Sequence, residues 1–148
     1  MHDTIAFYFS ILFLYTAFSK IATFKTFLFD LHRNPLIGEF YIPVSIILPI
    51  SEIFIACLLV FNRERKLTWI CTIAIMTIFS LYVGAVLWLI PHNKIPCSCG
   101  GIIRFMSWKT HLFFNIVSTL FAVLGLNYTR KIKSMHFETR GLKINYTK

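Results

Sequence analysis

Two cysteines one residue apart, Cys97 and Cys99, sit in the stretch NKIPCSCGGIIRF. Three readings fit them: a redox pair, a soft-metal clip, or two small residues in a tight turn. Residues i and i+2 can meet the Cα separation of about 4.4–6.8 Å that a disulfide needs. The resulting ring is tight, and strained disulfides are the oxidising, labile ones. Such a bond suits thiol exchange better than a structural staple. Gly100 and Gly101 leave room for a partner's thiolate to approach. GGIIRFMSW is able to start a short helix, and Arg104 is close in sequence. A helix N-terminus and a cation both lower a thiol pKa. Paired thiolates also suit Cu(I), with His111 as a further ligand.

Four more polar residues bear on chemistry. His111 and Asn115 are four apart, so on a helix they share a face. There His111 exchanges protons with a thiol or a bound quinol while Asn115 orients the ring; the blander role is a pair of helix–helix hydrogen bonds. Glu52 is the one acidic residue inside an apolar run. A carboxylate in lipid must be protonated, paired or next to water. Lys20 is the candidate partner, although by counting residues the two differ in depth. Cys57 and Cys71 each lie four residues from the loop between their runs, at similar depth. They read as small packing residues, with a second redox pair the alternative.

The elements that must position these groups are apolar. Of 148 residues 57% are hydrophobic and only 14% charged, against about 25% charged in ordinary soluble proteins. A chain this size has too little interior to hide so much apolar surface, so it belongs in lipid. Four apolar runs cover residues 4–19 (extending to about 22), 41–61, 68–90 and 108–128. A span needs about 20 helical residues at about 1.5 Å each. Backbone groups in lipid must bond internally, which makes these runs helices. Phe24, Phe27, Leu28 and Leu31 recur at helical spacing among Lys25, Asp30 and Arg33, and Pro35 and Gly38 follow. That pattern predicts a short amphipathic helix in the interface. The expected fold is an all-α membrane protein: a four-transmembrane-helix bundle over residues 1–129, with this interfacial helix after the first span. Residues 130–148 form a basic tail, expected to be mobile. The N-terminus lacks the basic region and cleavage site of a signal peptide, so the first run is read as a retained anchor.

Net charge is +9, but the basic residues flank the apolar runs and form no face for nucleic acid. Arg63, Arg65 and Lys66 plus six tail residues place nine on one side; Lys20, Lys25, Arg33, Lys94, Arg104 and Lys109 place six on the other. The positive-inside rule then puts both termini in the cytoplasm and the Cys97–Cys99 loop outside. In a bacterium that is the oxidising periplasm. Trp69, Trp88 and Trp108 fall near span ends, where aromatic belts form. Ser80 and Gly84 suggest a close helix contact. No phosphate loop, nucleophile elbow or H-E-x-x-H occurs, so ATP-driven and hydrolytic chemistry find no support.

The pieces YTAFSK, NPLI, LPISEI, FSLY, IPCSCGG and WKTHLFFN occur in this order over roughly residues 11 to 126. In them the chain resembles the MauE proteins of methylamine utilisation, within the wider DoxX-like membrane group. The resemblance implies a four-helix bundle in the bacterial inner membrane and a role in making disulfides for periplasmic proteins. It implies maturation of the disulfide-rich small subunit of methylamine dehydrogenase beside a periplasmic thioredoxin-like partner. Cys97, Cys99, His111, Asn115, Glu52 and Lys20 match the family's pattern. The expected function is a membrane thiol–disulfide relay in which Cys97 and Cys99 cycle. The sequence itself specifies no cofactor and no electron acceptor; a membrane quinone is one candidate, by fold-level analogy with vitamin K epoxide reductase. A soft-metal transporter and a non-catalytic scaffold are the alternatives.

Overall fold

The computed structural model describes residues 2–34, 36–89 and 107–145. Among them the secondary structure is helical: α1 (His2–Ala22), α2 (Phe24–His32), a 3-10 turn (Gly38–Phe40), α3 (Tyr41–Phe61), α4 (Lys66–Leu89) and α5 (Trp108–Asn145). Among the described residues four stretches are long and apolar enough to cross a membrane: His2–Ala22, Gly38–Phe61, Lys66–Leu89 and Trp108–Lys131. These match the four runs read from the sequence. α5 runs on as one helix of 38 residues, so the expected mobile tail is helical as far as Asn145.

The distribution of polarity is the reverse of a soluble domain. Phe7, Phe18, Phe54 and Trp88 stand on the outside, while Ser10, Ser45, Glu52, Thr72, Asn115, Ser118 and Thr129 are buried. In lipid the outer face gains nothing by hiding, and polar groups must turn inward. Most of the buried hydroxyls bond within their own helix. Ser10 donates to the Ala6 carbonyl at 2.8 Å, Thr72 to Thr68 at 2.9 Å and Thr129 to Gly125 at 3.0 Å. The helices pair α1 with α3 and α4 with α5, and smaller α1–α5 and α3–α4 contacts close the bundle.

One end of the bundle is solid. Phe9, Phe13, Leu59, Trp69, Met76 and Ala122 belong to one buried cluster. Trp69 is fully buried and donates its indole N–H to the Arg63 carbonyl at 2.8 Å. It is therefore a core residue, and the aromatic belt expected of it is corrected. The cause is a local bond: the α3–α4 loop folds back far enough for Arg63 to satisfy the indole, so the ring can leave the interface. Trp88 is 93% exposed on the outer face, as a belt residue should be. At the same end the His2 ring nitrogen Nε2 lies 3.0 Å from the Thr129 hydroxyl, and Asp3 pairs with Arg63 at 3.0 Å. The start of α1, the α3–α4 loop and the late part of α5 thus share one end. Both partners in the Asp3–Arg63 pair are well exposed, so it contributes little beyond placement.

The close helix approach is not where Ser80 and Gly84 suggested. A Cβ built on Gly84 meets nothing within 4 Å, and Ser80 simply bonds back to the Met76 carbonyl at 2.9 Å. The approach occurs at Gly125, where a Cβ would collide with the Trp69 ring. Gly125→Ala is therefore expected to cost about 1–3 kcal/mol by overpacking. Gly84→Ala should leave stability unchanged or slightly higher. Thermal unfolding of both variants in detergent checks this; equal melting temperatures would refute the packing assignment.

Candidate functional site

The other half of the bundle is hollow. A cavity of about 300 Å³ lies among α1, α2, α3, α4 and α5. Its apolar wall includes Leu12, Phe27, Leu48, Phe79 and Val83, and its polar groups are Thr16, Lys20, Glu52, Tyr82, His111 and Asn115. Phe13 and Met76 belong both to this wall and to the solid core, so they form the floor between the two halves.

Lys20 and Glu52 form the main polar contact. The Lys20 ammonium donates to Glu52 Oε1 at 2.8 Å and Oε2 at 3.1 Å, and to the Thr16 carbonyl at 3.4 Å. The two side chains are 11% and 1% exposed. Their apparent mismatch in depth has a simple resolution. A helical side chain leans toward its own N-terminus, so Lys20 in the last turn of α1 reaches back into the bundle. Its carbon chain spans the gap to mid-α3. Pro49, one turn before Glu52, has no N–H to give the Ser45 carbonyl, a local weakness in the α3 ladder beside the buried acid.

His111 and Asn115 line the same cavity from α5, sharing a face as their spacing predicted. Asn115 is 5% exposed, and its Nδ2 is buried with no hydrogen-bond partner among the described residues. A donor stranded in low dielectric normally finds an acceptor.

Two further residues escaped the sequence reading. Tyr82 brings its phenol to the cavity from α4. Asn34, fully buried, donates from Nδ2 to the Tyr82 oxygen at 2.5 Å. The Asn34 side-chain oxygen accepts the Leu36 N–H at 3.0 Å, and its carbonyl accepts the Gly38 N–H at 2.8 Å. The α2–α3 turn therefore winds around Asn34 and is fixed to α4. The signal was present in Asn34-Pro35, since Asn before Pro favours turn initiation. α2 is amphipathic as expected, and it turns Phe27 and Leu31 inward to wall the cavity.

Cys97, Cys99 and Arg104 lie outside the described residues. Cys57 is free and exposed, and Cys71 is free and half-buried against the core. They form no disulfide with each other. Among the described residues no group of three or more His, Cys, Asp or Glu could hold a metal ion. Chemically, the cavity offers a neutralised ion pair, an imidazole, a phenol and an amide N–H donor with no partner among the described residues, in an apolar setting.

The ion pair is testable by a double-mutant cycle. Lys20→Met leaves an uncompensated buried carboxylate, and a loss of about 3–5 kcal/mol is expected. Lys20→Met with Glu52→Leu should lose much less than Lys20→Met alone. Unfolding in detergent reads both; additive losses from the two sites would sink the pairing.

Set against known proteins, the chain matches no curated protein and no solved structure. A family model does match. The family described as methylamine utilisation protein MauE fits residues 1–128, which takes in the four spans, the cavity and both cysteines of the CxC pair. The match ends where α5 leaves its apolar stretch. On that coverage the chain belongs to the MauE family.

Proposed function

We propose that this membrane protein carries out thiol–disulfide exchange through Cys97 and Cys99, supporting disulfide maturation of methylamine-dehydrogenase-type proteins in the bacterial periplasm. The observation that carries the reading is membership of the methylamine-utilisation family in a chain with a CxC pair beside a span. Charge adds support. The segment bearing the cysteines connects Leu89 of α4 to Trp108 of α5, whereas the dense basic loop Arg63–Lys66 joins α3 to α4 at the other end of α4. The positive-inside rule then favours a periplasmic position for the cysteines in the inner membrane, where disulfides persist.

In this reading the Cys97–Cys99 disulfide is attacked by a thiolate of a soluble thioredoxin-like partner. A mixed disulfide forms and the displaced cysteine leaves as a thiolate. The partner's second thiolate then resolves the mixed disulfide. The partner ends oxidised, Cys97 and Cys99 end as a dithiol, and the partner passes its disulfide to the client. Arg104 favours the thiolate form by its charge. His111, at the start of α5, is placed in the chain to exchange the thiol proton.

Replacing one cysteine of the pair at a time tests the relay. Cys97→Ser and Cys99→Ser in a cell that makes the client are each expected to abolish client maturation. One of the two should in addition trap a covalent mixed disulfide, its remaining thiolate linked to the partner, visible on a non-reducing gel. Alkylation of native cells should find the pair oxidised. Normal maturation in both single variants would end the relay reading, and stoichiometric metal on reduced cysteines would replace it.

A further inference from the structure

We propose that the cavity among α1, α2, α3, α4 and α5 binds the head of a lipid-soluble quinone. Among the described residues Lys20 makes its contacts inside the protein, two to Glu52 and one to the Thr16 carbonyl. The pair is neutral as a unit and leaves no free cation to draw a carboxylate or phosphate, so the cavity selects an uncharged occupant. The wall is aliphatic and aromatic, which favours a hydrophobic ring.

The second observation is the stranded donor. Asn115 lines the cavity, is almost fully buried, and its Nδ2 has no partner among the described residues. A pure hydrocarbon would leave it so, at an energetic cost. A ring carbonyl satisfies it. Nearby stand an imidazole, His111, one turn away on the same helix, and a phenol, Tyr82, from α4. An uncharged flat ring with carbonyl oxygens, which take up protons when reduced, fits this set.

The third observation is access. Ile78 lines the cavity and is itself 63% exposed on the outer apolar face, so at this point one side chain borders both the cavity and the surface that meets lipid. A volume of about 300 Å³ is at the small end of ligand pockets. It accommodates a head group and leaves a long apolar tail outside, among the lipid chains.

The electron step rests on the relay reading, whereas the binding does not. The Cys97–Cys99 dithiol loses two electrons and two protons as its S–S bond forms. The quinone gains both and leaves as a quinol, restoring the oxidised pair.

The test uses the full chain in lipid nanodiscs with decyl-ubiquinone as probe, followed by equilibrium binding and by photolabelling with an azido derivative. Saturable binding of one quinone per chain, with label on cavity-lining residues, is expected. Asn115→Leu removes the stranded Nδ2 donor and is expected to weaken binding about tenfold. Leu48→Trp fills the cavity and should abolish binding; melting temperatures confirm that both variants are folded. The Cys97→Ser/Cys99→Ser double variant should bind as the native chain does. No saturable binding, native-like binding by Asn115→Leu and Leu48→Trp together, or equal displacement by phosphatidylcholine would each overturn the proposal. If quinone binds as described but reduced protein yields no quinol, the site stands and the relay falls. If partner exchange proceeds without binding, the site falls and the relay stands.

Discussion

A carboxylate in the middle of a hydrocarbon layer is the most demanding group in this chain. Glu52 is made tolerable by Lys20, which reaches it with two hydrogen bonds. That requirement fixes α1 against α3 at a defined register and depth, since sliding either helix by a turn would separate the charges. α1 and α3 are also one of the two closely packed helix pairs. The pair therefore acts as a specificity element, whatever its net contribution to stability. It also sets the character of the cavity, because two charges that neutralise each other leave polarity without net attraction for ions.

From this register the molecule divides along its length. Toward His2 and Arg63 it is filled by aromatic rings, and Gly125 permits the largest of them, Trp69, to lie flush against α5. Toward His111 it holds the cavity, with α2 and the turn around Asn34 forming one side. The solid end gives α4 and α5 a firm seat. The hollow end keeps space that Phe or Leu at a few of its positions would close. A bundle needing only to be stable would fill that space.

The spans were legible because lipid imposes a long, uninterrupted apolar run on each, and no soluble requirement competes. Lys20–Glu52 was legible because each charge is isolated in its run, and His111–Asn115 because helical spacing aligns them. What was not legible depended on contacts across helices. Gly84 and Gly125 look alike in the sequence; only the position of Trp69 distinguishes them. Trp69 itself sits at a span end and reads as an interfacial residue, until the Arg63 carbonyl is seen to satisfy its indole. Asn34 and Tyr82 are 48 positions apart, beyond any local pattern. The chemistry of Cys97 and Cys99 was read from their spacing alone, and that pair lies outside the described residues.

The contact between His2 and Thr129 spans 127 positions, and it has a meaning for how the protein is built. Helices enter a membrane in the order they are made, so α1 must wait for α5 before its first turn has this partner. Trp69 waits as well, since the groove it packs into is completed by Gly125. Lys20, by contrast, can rest at the interface near the end of α1 until Glu52 arrives. Assembly thus begins with a charge pair between early helices and ends with a clasp that only the last span can close. Until α5 is in place, His2 lacks its Thr129 partner and Trp69 lacks the groove at Gly125.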